Sequence, residues 1–254
     1  MCDNIHVFNE KTMYEEVLPL RTKGYFIFLS IILVVSSAFT AKAYEENFEG
    51  GKADGWEFVS GDWKVEDGML TQFEVAGKGG GEARNRAAAY AVGDEAWKDY
   101  TFEVKIKPIS ASNYAGVMFR VAKIDGGGDG NTFNSNSQYY YWLIGIGGTY
   151  SKIWQAPTGS ALEQTPGDTL RSGEWNEVKV EMYGQNVKLY LNGKLQKDFD
   201  FPKSAQIEFG GIALATYNAS ASFDDVKVEG PGIPGLSVSS KGKLTTLWAE
   251  LKRK

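Results

Sequence analysis

The sequence predicts an all-β protein: a two-sheet antiparallel jelly-roll sandwich preceded by an N-terminal hydrophobic signal helix. Three observations carry this. The 254 residues include 30 glycines, 13 tyrosines, 14 phenylalanines and 7 tryptophans but only 7 prolines, a composition that suits strands joined by tight turns. From residue 44 onward, short runs that alternate apolar and polar residues recur at regular spacing, the pattern of half-buried strands in a sandwich or barrel. Upstream stands one apolar run that has no counterpart later in the chain.

That run, Tyr25 to Val35, has eleven residues and is interrupted only by Ser30. Arg21 and Lys23 precede it, and small residues follow up to Ala41-Lys42-Ala43. A basic flank, an apolar centre and an Ala-x-Ala end form a secretory leader, with cleavage expected after Ala43. A bilayer-spanning helix needs about 20 apolar residues, so membrane association is expected only through this segment if it stays uncleaved. The expected location is secreted, periplasmic or cell-envelope. Cys2 and His6 are the sole cysteine and histidine, and both fall within the leader. The mature chain then lacks a disulfide staple and depends on a large core, or on a core plus a metal ion.

The predicted sandwich spans 44–230. Phe102 to Lys107 alternates strictly, with Phe102, Val104 and Ile106 on one face and Glu103, Lys105 and Lys107 on the other. Val178–Met182 and Val187–Leu191 repeat the pattern, and Asn192-Gly193 joins the latter to a returning strand at Lys194–Phe199. An Asn-Gly pair between alternating runs is the strongest short hairpin signal. Asp67-Gly68 marks another hairpin, between Trp63–Val65 and Leu70–Phe73. Further strands are expected at 114–121, 138–145, 149–155, 207–216 and 221–228. Phe223-Asp-Asp-Val226 breaks alternation and predicts a bulge. Gly230-Pro-Gly-Ile-Pro-Gly235 then opens a linker and tail, 231–254, in which Leu244, Leu247, Trp248 and Leu251 would share one helical face among basic residues.

A net charge of −5 argues against a nucleic-acid partner, which demands a basic surface. Without mature His or Cys there is no Ser-His-Asp triad, no cysteine nucleophile and no His- or Cys-ligated zinc. An enzyme built from the remaining residues would rely on carboxylates, Tyr, Lys or Arg. Asp198 and Asp200 form the nearest same-face carboxylate pair, and they follow a hairpin strand on a face expected to be solvated.

The stronger site signal is aromatic. Alternation in Ala115–Val121 turns Ala115, Val117 and Phe119 to the core and leaves Arg120 on the other face with Gly116 and Met118. In Tyr150–Gln155, an inward Ile153 places Tyr150, Lys152 and Trp154 on that same outer face. Tyr139–Trp142 puts two of its four aromatics outward in either register, and Tyr140 and Trp142 are taken as the outward pair. Asn113 stands at the mouth of the Arg120 strand. Sugars offer apolar C–H faces and hydroxyl rims, which suit aromatic platforms beside Arg, Lys and Asn. The candidate ligand set is therefore Arg120, Trp154, Tyr150, Lys152, Tyr140, Trp142 and Asn113, with a glycan or oligosaccharide as partner. The competing reading has these aromatics pairing across strands as structure.

Several pieces then fall into a known order: Phe48-Glu-Gly50, Trp56, Gly61-Asp-Trp63, Tyr114-Ala-Gly-Val-Met-Phe-Arg120, Glu174-Trp-Asn176, Leu191-Asn-Gly193 and Phe223-Asp-Asp-Val226. In order and spacing they resemble the concanavalin A-like lectin/glucanase superfamily, in particular its laminin G-like and 3-keto-disaccharide hydrolase branches. The resemblance implies a jelly roll whose concave face binds sugars or proteins. Glucanases of that superfamily carry Glu-x-Asp on one strand, and no glutamate after Ala43 has an aspartate two residues on; no catalytic residue is assigned. The strand after the Gly-Val-Met-Phe-Arg piece also lacks the acid common in the 3-keto-disaccharide branch. The resemblance further implies adjacent first and last strands, where Glu49 and Asp225 would share a structural calcium ion; backbone capping is the other role open to them. Asp125, Asp129 and Asn131 offer oxygen ligands in a glycine-rich loop. Three functions follow from these observations. They are a lectin-like domain that binds glycan without cleaving it, a hydrolase of the 3-keto-disaccharide type, and an adhesive laminin G-like domain that binds protein.

Overall fold

The computed structural model describes residues 43–73, 87–125, 136–156, 160–165, 167–202 and 207–234, with 87–90 and 160–165 described as backbone. These hold fifteen strands and no helix. The first eight are β1 (Ala43–Glu46), β2 (Glu57–Ser60), β3 (Trp63–Glu66), β4 (Met69–Gln72), β5 (Ala87–Val92), β6 (Tyr100–Pro108), β7 (Tyr114–Lys123) and β8 (Gln138–Gly145). The rest are β9 (Ser151–Ala156), β10 (Ser160–Thr165), β11 (Asn176–Tyr183), β12 (Asn186–Leu191), β13 (Lys194–Asp200), β14 (Gly211–Tyr217) and β15 (Ala221–Glu229). The expected signal helix, residues 126–135 of the glycine-rich loop and the basic tail lie outside the described residues.

Two antiparallel sheets form the sandwich, as the alternation predicts. Sheet I runs β13-β12-β11-β6-β15-β4-β3, with β1 also paired to β15; sheet II runs β10-β9-β8-β7-β14-β5-β2. Both predicted hairpins form, for a backbone reason. Asp67 and Gly68 have φ of 52° and 72°, and Asn192 and Gly193 have 50° and 75°. The two central residues of the turn that matches strand twist must be left-handed, and Asp, Asn and Gly tolerate that region best. The predicted bulge also forms: Asp225 has φ 49°, and the β15–β6 register slips between Asp224 and Lys227. Four strands, β1, β2, β5 and β10, are unmarked by the sequence pattern. Ala43, the expected last residue of the leader, pairs with Glu229 in the β1–β15 ladder.

The inter-sheet core follows the alternation. Phe102, Val104 and Ile106 of β6 meet Ala115, Val117 and Phe119 of β7, and all are buried. Asn176 fastens the loop before β11: its Nδ2 donates to the carbonyls of Ile106, Arg171 and Glu174, while its Oδ1 accepts from Arg171 N. A second apolar layer lies on the outer side of sheet II, where Met118, Tyr139, Tyr141, Leu143, Ala213 and Ala215 are buried. Strand β8 is thus apolar on both faces. That removes the polar-out signal by which a register is read.

Candidate functional site

The outer face of sheet II is built in rows set by strand register. Lys152, Leu143, Gly116 and Ala215 lie in one row; Trp154, Tyr141, Met118 and Ala213 lie in the next. On the other side of the first row, Gly145, Tyr114 and Tyr217 form a third. The middle of the face therefore carries the small residues Gly116, Ala213 and Ala215, all buried, with larger side chains beside them. Gly116 is required there, because a Cβ would come within 2.0 Å of the Trp142 carbonyl oxygen.

At one corner the side chains converge. Tyr114 and Tyr217 meet edge to face with centroids 5.8 Å apart. The Lys152 Nζ stands 5.0 Å from the Tyr114 ring centre and 5.6 Å from that of Trp154, within cation–π range. Tyr150 is 58% exposed at the rim. Burial, followed by the neighbouring phenols of Tyr150 and Tyr217, pushes the Tyr114 hydroxyl above its ordinary pKa. Burial pushes the Lys152 amine down, since a desolvated ammonium is disfavoured. Asn113, in the left-handed region at φ 69°, leads into Tyr114, and its carbonyl accepts from Ile146 N at 2.9 Å.

The structure thus brings Tyr150, Lys152, Trp154 and Asn113 of the predicted set to one corner. It turns the other three inward. Arg120 was expected on the outer face, but it is an inserted residue: Gly211 and Ile212 of β14 pair with Val121 and Phe119, skipping it. With φ 46° it bulges, and its side chain runs between the sheets, where it is 2% exposed. There Nη1 donates to Ile207 O at 3.1 Å, Nη2 donates to Gly184 O, and Asp99 Oδ1 lies 3.6 Å away. Arg120 N donates to the Tyr100 hydroxyl at 2.8 Å, and that hydroxyl donates on to Gly211 O at 3.1 Å. Tyr140 and Trp142 are also corrected. They pair with Phe119 and Val117 and share their inward face. Tyr140 stacks on Phe201 at 3.8 Å, and its hydroxyl accepts from Ile207 N. The outward aromatics of β8 are Tyr139 and Tyr141. Sequence reasoning left out Tyr217, although the Ala213–Ala215–Tyr217 alternation holds the signal.

The two proposed calcium ligands have other neighbours. The Asp225 carboxylate pairs with Lys105 at 2.7 Å. The Glu49 carboxylate lies over Gly68, where a Cβ would be 2.9 Å from its Oε1. Among the described residues, no group of three or more His, Cys, Asp or Glu is arranged to hold a metal ion. The Asp198/Asp200 pair lies exposed on β13, where both carboxylates accept from Asn186 Nδ2. A groove of 640 Å³ crosses the outer face of sheet I. Its lysines are already paired, Lys105 with Asp225, Lys179 with Glu181 and Lys227 with Glu229, as on a solvated ion-pair surface.

The model of the 3-keto-alpha-glucoside-1,2-lyase-like domain matches residues 43–229. The chain belongs to that family. A curated relative, the extracellular exo-alpha-L-arabinofuranosidase of Streptomyces chartreusis, is 25% identical over 227 residues, which is 85% of this chain and 25% of that protein. The chain thus spans about a quarter of the relative's length. Among solved structures, the carbohydrate binding module CBM66 from Bacillus subtilis is similar at 18% identity and TM-score 0.53, covering 69% of this chain and 96% of the module. A Bacillus subtilis protein of unknown function with a galectin-like fold matches at 12% identity and TM-score 0.56, over 73% of this chain and 94% of its own. At such identities these structures establish a shared sandwich fold, in agreement with the concanavalin A-like architecture the motifs imply.

Proposed function

We propose that this domain binds carbohydrate at the Tyr114–Lys152–Trp154–Tyr217 corner of sheet II and leaves the ligand intact. The observation that carries the reading is the corner itself, where the Tyr114, Trp154 and Tyr217 rings gather around one half-buried amine with Tyr150 exposed at the rim. Strands β7, β8, β9 and β14, which build it, contain no aspartate or glutamate, whereas glycoside hydrolysis uses two carboxylates. The carbohydrate-binding module and the arabinofuranosidase among its relatives support a sugar ligand. The leader pattern and the relative's extracellular description support a place outside the cytoplasm.

A second reading comes from the family's name. Elimination across C1 and C2 of a 3-keto sugar begins with loss of an acidified C–H proton, which needs one base rather than a carboxylate pair. Lys152, with its amine pushed down by burial, is the residue that would serve. One experiment separates these readings: a glycan array on the purified chain, followed by product analysis after incubation with 3-keto-glucosides. Binding with ligand recovered intact is the expected result. Tyr150→Ala and Trp154→Ala should each weaken it by about tenfold or more, the scale of an aromatic anchor. Tyr150→Ala, at an exposed position, should leave the melting temperature nearly unchanged. Sugar release from the keto substrate would favour the elimination reading. Silence toward every sugar, with binding to protein, would favour adhesion.

A further inference from the structure

We infer that the corner selects an anionic sugar, one whose carboxylate or sulfate oxygens pair with Lys152. This deepens the carbohydrate reading and rests on it. Three features point to the class of ligand.

The first is the state of Lys152. It is half-buried between the Tyr114 and Trp154 rings, and among the described residues it has no carboxylate partner. The groove on sheet I provides the contrast, since Lys105, Lys179 and Lys227 there are all neutralised by acids. A cation taken partly out of water and compensated, among the described residues, by ring quadrupoles alone gains most from an oxyanion delivered by the ligand. The second is the sign of the surroundings. The four strands beneath the corner have no acidic residue in a chain whose net charge is −5. A lysine standing on strands that bring no carboxylate, in an acidic protein, is a selective feature, because acidic surface elsewhere repels the same ligand. The third is the hydrogen-bonding inventory. An ammonium offers three donors and no acceptor, and phenols can also donate. That donor-rich set matches an acceptor-rich group better than the balanced hydroxyls of a neutral hexose. Burial of the amine agrees with this: its pKa is pushed down in the free protein, and an oxyanion at Nζ would raise it again.

The test is calorimetric titration of the full chain with four probes. These are a galacturonic acid trisaccharide, its methyl ester, a sulfated galactose trisaccharide and the unsulfated form. At least one anionic probe should bind about tenfold tighter than its neutral counterpart, the scale of one charge-assisted hydrogen bond. The carboxylate and sulfate arms identify which oxyanion is preferred. Lys152→Met, close to isosteric along the stem, should erase the preference while Trp154→Ala weakens all probes together. If Lys152→Met fails to fold, Lys152→Gln and a salt titration of the wild type replace it; the preference should then shrink between low and high salt. Equal binding of charged and neutral probes, or a preference that survives loss of Lys152, would overturn the inference and leave the carbohydrate reading intact. Failure of every probe, together with a silent glycan array, would overturn both.

Discussion

Arg120 gives the sharpest test, because the alternation of its strand and its place in the fold assign it opposite roles. On an outward Arg120, substitution would cost binding and little stability. The structure instead buries it between the sheets, donating to the carbonyls of Ile207 and Gly184 beside Asp99. Arg120→Met removes the charge and both donors and leaves two carbonyls to find new partners. The two hydrogen bonds are part-buried and Asp99 is 39% exposed, so losing both charged hydrogen bonds costs about 3–5 kcal/mol together and the screened pair with Asp99 adds little. For a domain of this size each kcal/mol moves the midpoint by about 2–4 °C. The melting temperature should therefore fall by about 6–20 °C, measured by calorimetry. Glycan affinity measured well below the midpoint should be retained. A variant that melts like wild type but no longer binds sugar would refute the inward placement.

Two further substitutions test the local chemistry. Glu46 is 3% exposed; its Oε1 accepts from Phe48 N at 2.7 Å, and its Oε2 is buried without a hydrogen bond. Burial, reinforced by Asp54 and Asp224 and partly offset by backbone hydrogen bonds, raises its pKa above the ordinary 4.5. The folded state thus favours the neutral acid, a contribution fully present below 4.5 and lost as pH rises through the folded value. Glu46→Gln should be more stable than wild type at pH 7, by about 1 kcal/mol, with the gain vanishing in melts at pH 4; an equal or lower midpoint at pH 7 would count against this. Gly116→Ala places a methyl 2.0 Å from the Trp142 carbonyl oxygen, in the middle of the β7–β8 ladder. It should cost about 3 kcal/mol or more in denaturant unfolding, and a wild-type midpoint would contradict the packing described.

What could be read from the chain followed the strength of local signals. The Asp67-Gly68 and Asn192-Gly193 turns and the alternation of β6 were legible because one residue type per position decides them. Strand β5, Ala87-Ala-Ala-Tyr-Ala-Val92, has little strand propensity of its own. Pairing makes it a strand, since Ala89 and Ala91 lie against Ala215 and Ala213 of β14. Register in β8 could not be read, because Tyr139 and Tyr141 are as thoroughly buried as Tyr140 and Trp142. Arg120 was misplaced by a single inserted residue, which reverses the face of everything that depends on it. Lys152 and Trp154 were placed correctly because Ile153 between them has one clear preference for the core.

The pairing of β1 with β15 has an architectural consequence. Ala43 lies opposite Glu229, and Glu229 pairs with Thr101 near the start of β6. At the other end of the sandwich, Ala221 pairs with Pro108, and Ile109 N donates to Ser220 O. The Tyr114–Tyr217 pair belongs to that second end. The first and last strands thus meet at one doorway, with the Tyr114–Lys152–Trp154–Tyr217 corner at the opposite end of the fold. Such a unit can be spliced into a longer chain, or tethered to a surface, without its attachment obstructing that corner.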